Sequence, residues 1–138
     1  MILGTPNRIT SMAKLGTTGV DEQTAVILGY DHGKMALLST AIRTNTPHEA
    51  VIIGTSGWIK IHRSWWISDT LTLKTGDDEQ IISCPMVGNG YNYEAIEAGN
   101  CIRTGLLESE LMPLNETLSL MKIMDEIRTQ IGLKYPIE

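Results

Sequence analysis

Over the first 84 residues the apolar positions recur at every second place. In Trp58-Ile59-Lys60-Ile61-His62 the isoleucines fall on one side, and Trp58, Lys60 and His62 on the other; Thr70-Leu71-Thr72-Leu73 repeats the pattern. A period of two marks strands with unlike faces. Strands are predicted over 8–15, 22–30, 34–43, 49–53, 57–62, 69–74 and 79–84. The connections carry turn residues: Thr5-Pro6-Asn7 before the first strand, then Asp31-His32-Gly33, Gly54-Thr55-Ser56-Gly57 and Thr75-Gly76-Asp77-Asp78. Connections this short join antiparallel neighbours, because parallel ones need a crossover of a dozen residues or more. In the 34 position the chain leaves its turn through Gly33, which tolerates the positive φ of a tight hairpin.

The last third changes period. Tyr91, Ala95, Ala98 and Ile102 recur at helical spacing, and Gly105 closes that segment. Leu118, Leu120, Met121, Ile123, Met124, Ile127 and Ile131 form a broad apolar stripe over a second helix at 115–131. Pro113 and Asn115 signal its start, Gly132 its C-terminal cap, and Pro136 prevents its resumption. Strands followed by helices predict an α+β fold: a large, mostly antiparallel sheet of six or seven strands, C-terminal helices on one face, the other face open for association. With no repeat and no linker, residues 1–138 read as a single domain.

Charge and composition narrow the function. The net charge is −5, with 11 basic residues scattered along the chain. Nucleic acid and anionic membranes both reward clustered Lys and Arg, so neither is expected as a partner. The opening MILGTPNRIT lacks the basic region and long apolar core of a signal peptide, and no apolar run reaches the ~20 residues of a membrane span. A cytoplasmic location is expected. Cys84 and Cys101 form no C-x-x-C pair and read as reduced thiols. His32, His48 and His62 lie 16 and 14 residues apart on different predicted features, which argues against a metal site or a general base. Ser109 has no nearby His to activate it and reads as part of a turn between helices.

The stretch GNGYNYEAIEAG at 88–99 opens like a dinucleotide-binding loop: Gly88, Gly90, then a helical run after a strand. The third glycine of that fingerprint, which allows close helix–strand packing, is replaced by Tyr93. The acids Glu108 and Glu110 fall at a suitable distance but sit in GLLESELMPLN, a polar connection with a proline and no buried strand. A simple turn from the sheet into a helix is the better reading.

The tail GYNYEAIEAGNCIRTGLLESELMPLNETLSLMKIMDEIRTQIGLKYP resembles the carboxyl end of the glucose–fructose oxidoreductase, inositol dehydrogenase and MocA (Gfo/Idh/MocA) family. TTGVDEQTAVILGYDHGKMALL and TPHEAVIIGTSGWIKIHRSWW resemble its dihydrodiol dehydrogenase-like branch in the same order. The match runs over nearly the whole chain, and GLLES-x-LMPL-x-ETL is its most specific part.

The resemblance implies the C-terminal domain of a two-domain enzyme, with NAD or NADP held by an N-terminal Rossmann domain. The chemistry implied is hydride transfer at a secondary alcohol of a sugar, inositol or cyclic diol. The family's Glu-Lys-Pro motif is absent here, as is a true G-x-G-x-x-G. No catalytic, cofactor-binding or metal residue is therefore expected in this chain, which should bind no cofactor and turn over nothing alone. The expected partners are the missing Rossmann domain and further copies of the chain. Trp65, Trp66, Tyr91 and Tyr93 are candidates for a substrate-cleft wall, against the plainer reading of core packing. Trp58, Lys60, His62, Thr70 and Thr72 are candidates for an oligomer interface. The rival reading is a free-standing α+β association module that never had a Rossmann partner; a small enzyme in its own right is a weaker third.

Overall fold

The structure, a computed structural model, describes residues 2–135. Pro136, expected to stop the last helix from resuming, lies outside the described residues. Seven strands and two α-helices make an α+β fold, with β1 Arg8–Leu15, β2 Asp21–Gly29, β3 Met35–Ala41, β4 Ala50–Gly54, β5 Gly57–Ile61, β6 Thr70–Thr75, β7 Asp78–Ser83, α1 Tyr91–Thr104 and α2 Leu114–Ile131. Every described pairing is antiparallel. The strands form two ladders, β1-β2-β3 and β4-β5-β6-β7. Contacts divide the chain into two compact units: residues 1–46 with 110–138, and residues 47–109.

In the first unit, register places Ile9, Leu28 and Ala36 in one row, and Ser11, Val26 and Leu38 in the next. This face holds the buried Thr24 and Val26. On the opposite face Met12, Ile27, Met35 and Leu37 are exposed. Helix α2 lies against β1, and one side chain binds it there. Gln130 Oε1 accepts the Ser11 backbone N–H at 2.9 Å and the Ser11 hydroxyl at 2.8 Å, while its Nε2 donates to the Ile9 carbonyl at 2.9 Å. The carboxamide thus offers β1 the donor and acceptor that another strand would offer. Glu126, one turn earlier, accepts the second amide proton at 2.8 Å.

Both helices end as their glycines predict. Gly105 and Gly132 take φ of 74° and 70°, and the following Leu106 and Leu133 N–H groups reach back to Cys101 and Arg128 carbonyls. Leu133, just past the cap, is then buried, in the position where such caps commonly place an apolar residue. Helix α2 starts at Leu114, one residue before the predicted start, after an extended Pro113.

In the second unit, two tight connections set the register. Gly54 pairs with Gly57 and Thr75 with Asp78, so each hairpin loop has two residues. Gly57 has a further constraint: a Cβ there would stand 1.9 Å from the Lys74 carbonyl oxygen on β6. Only glycine permits that backbone approach.

Candidate functional site

All nine residues singled out from the sequence fall in the second unit. The most organised group is aromatic. The connection from β5 to β6 carries Trp65 and Trp66, whose rings meet edge-on with centroids 6.0 Å apart. His48, just before β4, lies 5.3 Å from the Trp66 ring at a tilt of 55°. The backbone fastens the two segments, since Trp65 N–H donates to the His48 carbonyl at 3.2 Å. His48 and Ser64 both sit at positive φ, 54° and 61°. Neither is a glycine, so each conformation costs roughly 1–3 kcal/mol and persists only where its surroundings hold it. Trp65 and Trp66 nevertheless keep 52% and 55% of their surface exposed. They do not fill a core, which was the plainer expectation for them. His48 is exposed and is the third ring of this group. No spacing rule could have joined it to Trp66, 18 places away in the sequence.

Tyr91 and Tyr93 lie elsewhere. Among the described residues no ring contact joins them to the tryptophans. Tyr91 is 70% exposed at the first turn of α1. The Tyr93 hydroxyl accepts the Val87 N–H at 3.0 Å, folding the ring back over the loop. The Asn89 side chain accepts the Tyr91 N–H at 3.3 Å, and the Gly90 carbonyl accepts the Tyr93 N–H at 3.1 Å. A loop that cradles pyrophosphate must direct its free N–H groups at the ligand. Here three of them are occupied within the loop, and the third-glycine position holds the ring that closes it. The 88–93 segment does not fit a dinucleotide.

Register assigns one face of the β4–β7 ladder. Val51, Lys60, Thr72 and Ile81 form one row, and Ile53, Trp58, Lys74 and Glu79 the next. Thr70 pairs with Ser83, and His62 N–H reaches the Thr70 carbonyl at 3.4 Å, adding His62, Thr70 and Ser83. The five sequence candidates Trp58, Lys60, His62, Thr70 and Thr72 therefore share this face. Glu49 joins it through an ion pair with Lys60 at 2.9 Å. His62 Nε2 and Thr72 Oγ1 stand 2.8 Å apart, and Thr72 retains only 5% exposure. The rim differs: Val51, Ile53 and Ile81 are 52%, 80% and 75% exposed.

Two other polar groups were not foreseen. In the first unit Glu22 lies between Arg43 at 3.0 Å and Lys14 at 3.4 Å. The hydrogen bond from Arg43 holds its carboxyl below the usual range; partial desolvation opposes this, and Lys14 adds to it. The single carboxylate bridges both cations and neutralises one of their two charges. In the second unit Glu97 on α1 accepts from the Ser109 hydroxyl and stands 3.7 Å from Cys101 Sγ. Ser109 is thereby a brace for the segment after α1, as its turn-like context suggested. No group of three or more His, Cys, Asp or Glu among the described residues could hold a metal. No described helix is long and apolar enough to cross a membrane.

The same architecture occurs in solved oxidoreductases. An aldose–aldose oxidoreductase of Caulobacter crescentus superposes with a TM-score of 0.78 at 15% identity, over 93% of this chain and 39% of that one. An oxidoreductase of Agrobacterium radiobacter, solved with NAD+, L-tartaric acid and magnesium, gives 0.77 at 13% identity, over 95% and 42%. Biliverdin reductase of Synechocystis sp., solved with biliverdin and NADP+, gives 0.72 at 13% identity, over 95% and 42%. The fold is thus one shared with solved oxidoreductases, of which this chain spans 39–42%. No family model matches the chain.

Curated relatives place it more closely. Trans-1,2-dihydrobenzene-1,2-diol dehydrogenase of Xenopus tropicalis is 36% identical over 95% of this chain, and that of Mus musculus is 32% identical over 99%. The chain is homologous to the C-terminal part of these dihydrodiol dehydrogenases and spans 42% and 43% of their lengths.

Proposed function

We propose that this chain is the substrate-side domain of an NAD(P)-dependent dehydrogenase that oxidises a secondary alcohol of a cyclic diol, sugar or inositol-like compound in the cytoplasm. The observation that carries this reading is the continuous similarity to dihydrodiol dehydrogenases over 95% of the chain. The solved neighbours bound to NAD+ and NADP+ support the cofactor class. The coenzyme would supply the hydride acceptor from a separate Rossmann domain. This chain's own residues would shape the cleft and join subunits. The half-exposed pair Trp65 and Trp66 offers flat apolar surface for the substrate, and the exposed Tyr91 ring offers a separate one. The face bearing Trp58, Lys60, His62, Thr70 and Thr72 would meet another subunit.

The reading predicts a division of labour. The 138-residue chain should show no saturable NAD+ or NADP+ binding by calorimetry and no turnover of trans-dihydrobenzenediol. The same chain joined to a Rossmann domain of a dihydrodiol dehydrogenase should do both. Tight nucleotide binding by the chain alone would refute the assignment, as would a joined protein that binds the nucleotide and leaves every alcohol of this class untouched.

A further inference from the structure

The turn into α1 holds a reactive pair that substrate and subunit binding leave unused. Of the chain's asparagines only Asn89 is followed by glycine. An asparagine carboxamide and the next backbone nitrogen can close a five-membered imide, and a side chain on the following residue obstructs that closure. Glycine has none. Asn89 is exposed in the turn, so water reaches it.

Local geometry sharpens the chemistry. Asn89 Oδ1 accepts the Tyr91 N–H at 3.3 Å, folding the carboxamide back over the peptide bond between Asn89 and Gly90. The same hydrogen bond draws electron density from Cγ, the carbon open to attack. Among the described residues the Gly90 N–H donates to no acceptor, so this nitrogen is not committed elsewhere. Gly90 takes φ of 90°, and a Cβ on it would stand 2.8 Å from Met86 Sδ. The shape of the turn therefore keeps the reactive dipeptide in place. Asn92 and Asn100 differ on each count. They lie within α1 and precede Tyr93 and Cys101, and the Tyr93 N–H is held by the Gly90 carbonyl at 3.1 Å.

We propose that Asn89 is a self-modification site, where an imide formed with Gly90 exchanges a neutral carboxamide for a negative charge at the start of α1. The Gly90 nitrogen attacks Asn89 Cγ; the N–Cγ bond forms, the Cγ–Nδ2 bond breaks, and Nδ2 leaves as ammonia with the proton from the Gly90 nitrogen. Water then opens the imide at either carbonyl, giving an aspartyl or an isoaspartyl linkage at position 89. Nothing is oxidised or reduced, and water is the one co-reactant.

The two products act differently on the helix. An aspartyl carboxylate still accepts the Tyr91 N–H, now with charge assistance and in favourable alignment with the helix dipole. An isoaspartyl linkage adds a backbone carbon just ahead of Gly90. It displaces the Gly90 carbonyl from the Tyr93 N–H and disturbs the turn in which the Tyr93 hydroxyl accepts the Val87 N–H. The first turn of α1 then loosens, and Tyr91 moves with it.

Incubation of the 138-residue chain at neutral and mildly alkaline pH, followed by tryptic mapping of the 75–103 peptide, tests this. Carboxamide loss should appear at position 89 ahead of Asn92 and Asn100 in the same peptide. It should accelerate with hydroxide and yield both linkages. Asn89→Gln would have to close a larger, less favoured ring and should stay intact. Asn89→Asp should keep the fold by circular dichroism. Amide exchange at Tyr91 and Tyr93 should quicken in the isoaspartyl form and not in Asn89→Asp. Persistence of the Asn89 carboxamide in the folded chain would overturn the proposal, and its loss in a parallel urea incubation would assign that protection to the turn. Equal loss at Asn92 or Asn100 would remove the selectivity of the site, and an aspartyl product alone would remove the imide. Unchanged exchange at Tyr91 in the isoaspartyl form would sever the modification from α1.

Discussion

Gly57 and Glu22 show how much a single position can constrain. The β6 backbone passes where a Gly57 side chain would be, so Gly57→Ala must move one strand of the ladder. Overpacking usually costs about 1–3 kcal/mol, and here the obstacle is a carbonyl oxygen rather than a side chain that can swing away. Urea unfolding of Gly57→Ala should show a loss at or above that range. Glu22 makes a pH prediction. Its carboxyl is depressed in the folded chain by Arg43 and Lys14, so its contribution is present above the ordinary carboxylate range and fades as pH falls through the lowered value. Thermal denaturation of Glu22→Gln should therefore show a shallower acid-side decline than wild type, mostly below about pH 4. Equal slopes would mean that the two cations do nothing for the fold.

At the scale of elements, alternation and turn chemistry made the strands legible. Each of the seven was predicted to within two residues, because Gly33, Gly57 and Gly76 punctuate the period-of-two segments. Helix ends were legible for a similar reason: Gly105 and Gly132 announce their own caps. Partner choice was not legible. Nothing in residues 42–49 specifies whether β3 and β4 pair, and they fall into separate ladders. Cross-strand and long-range contacts were equally hidden: His48 with Trp66, Glu49 with Lys60, and Gln130 with β1 all depend on register. The faces could be assigned from sequence, and the candidate face of Trp58, Lys60 and His62 came out intact for that reason. The aromatic group carries its own prediction. In the chain joined to a Rossmann domain, Trp66→Ala should raise KM for a cyclic diol about 3- to 10-fold, from the 0.5–1.5 kcal/mol of a ring contact. The nucleotide KM should stay unchanged. A shift in the nucleotide constant instead would remove the tryptophans from the substrate wall.

The whole molecule is under-covered. Two independent bodies of half this mass would together expose about 8,600 Å², whereas the chain exposes 10,978 Å². Among the described residues the buried apolar ones are Val26, Cys101 and Leu133, while Met12, Leu37, Ile53 and Ile81 on the sheets are exposed. The chain spans 42% of the length of the Xenopus tropicalis relative. Self-association, as proposed, would make stability depend on concentration by mass action. The melting temperature of the isolated chain should rise with protein concentration, and scanning calorimetry across a 100-fold range would show it. A concentration-independent melt would argue against self-association by any face.

The Gln130 carboxamide closes the outer rim of β1 in the manner of a neighbouring strand. An uncovered rim of this kind is a template on which foreign chains can add. Gln130→Ala, or a frame ending before position 130, should therefore speed exchange of the Ser11 amide proton and turn a well-behaved polypeptide into a seed for fibrils. One side chain in the last turn of the last helix thus protects the first strand from propagating beyond its own molecule.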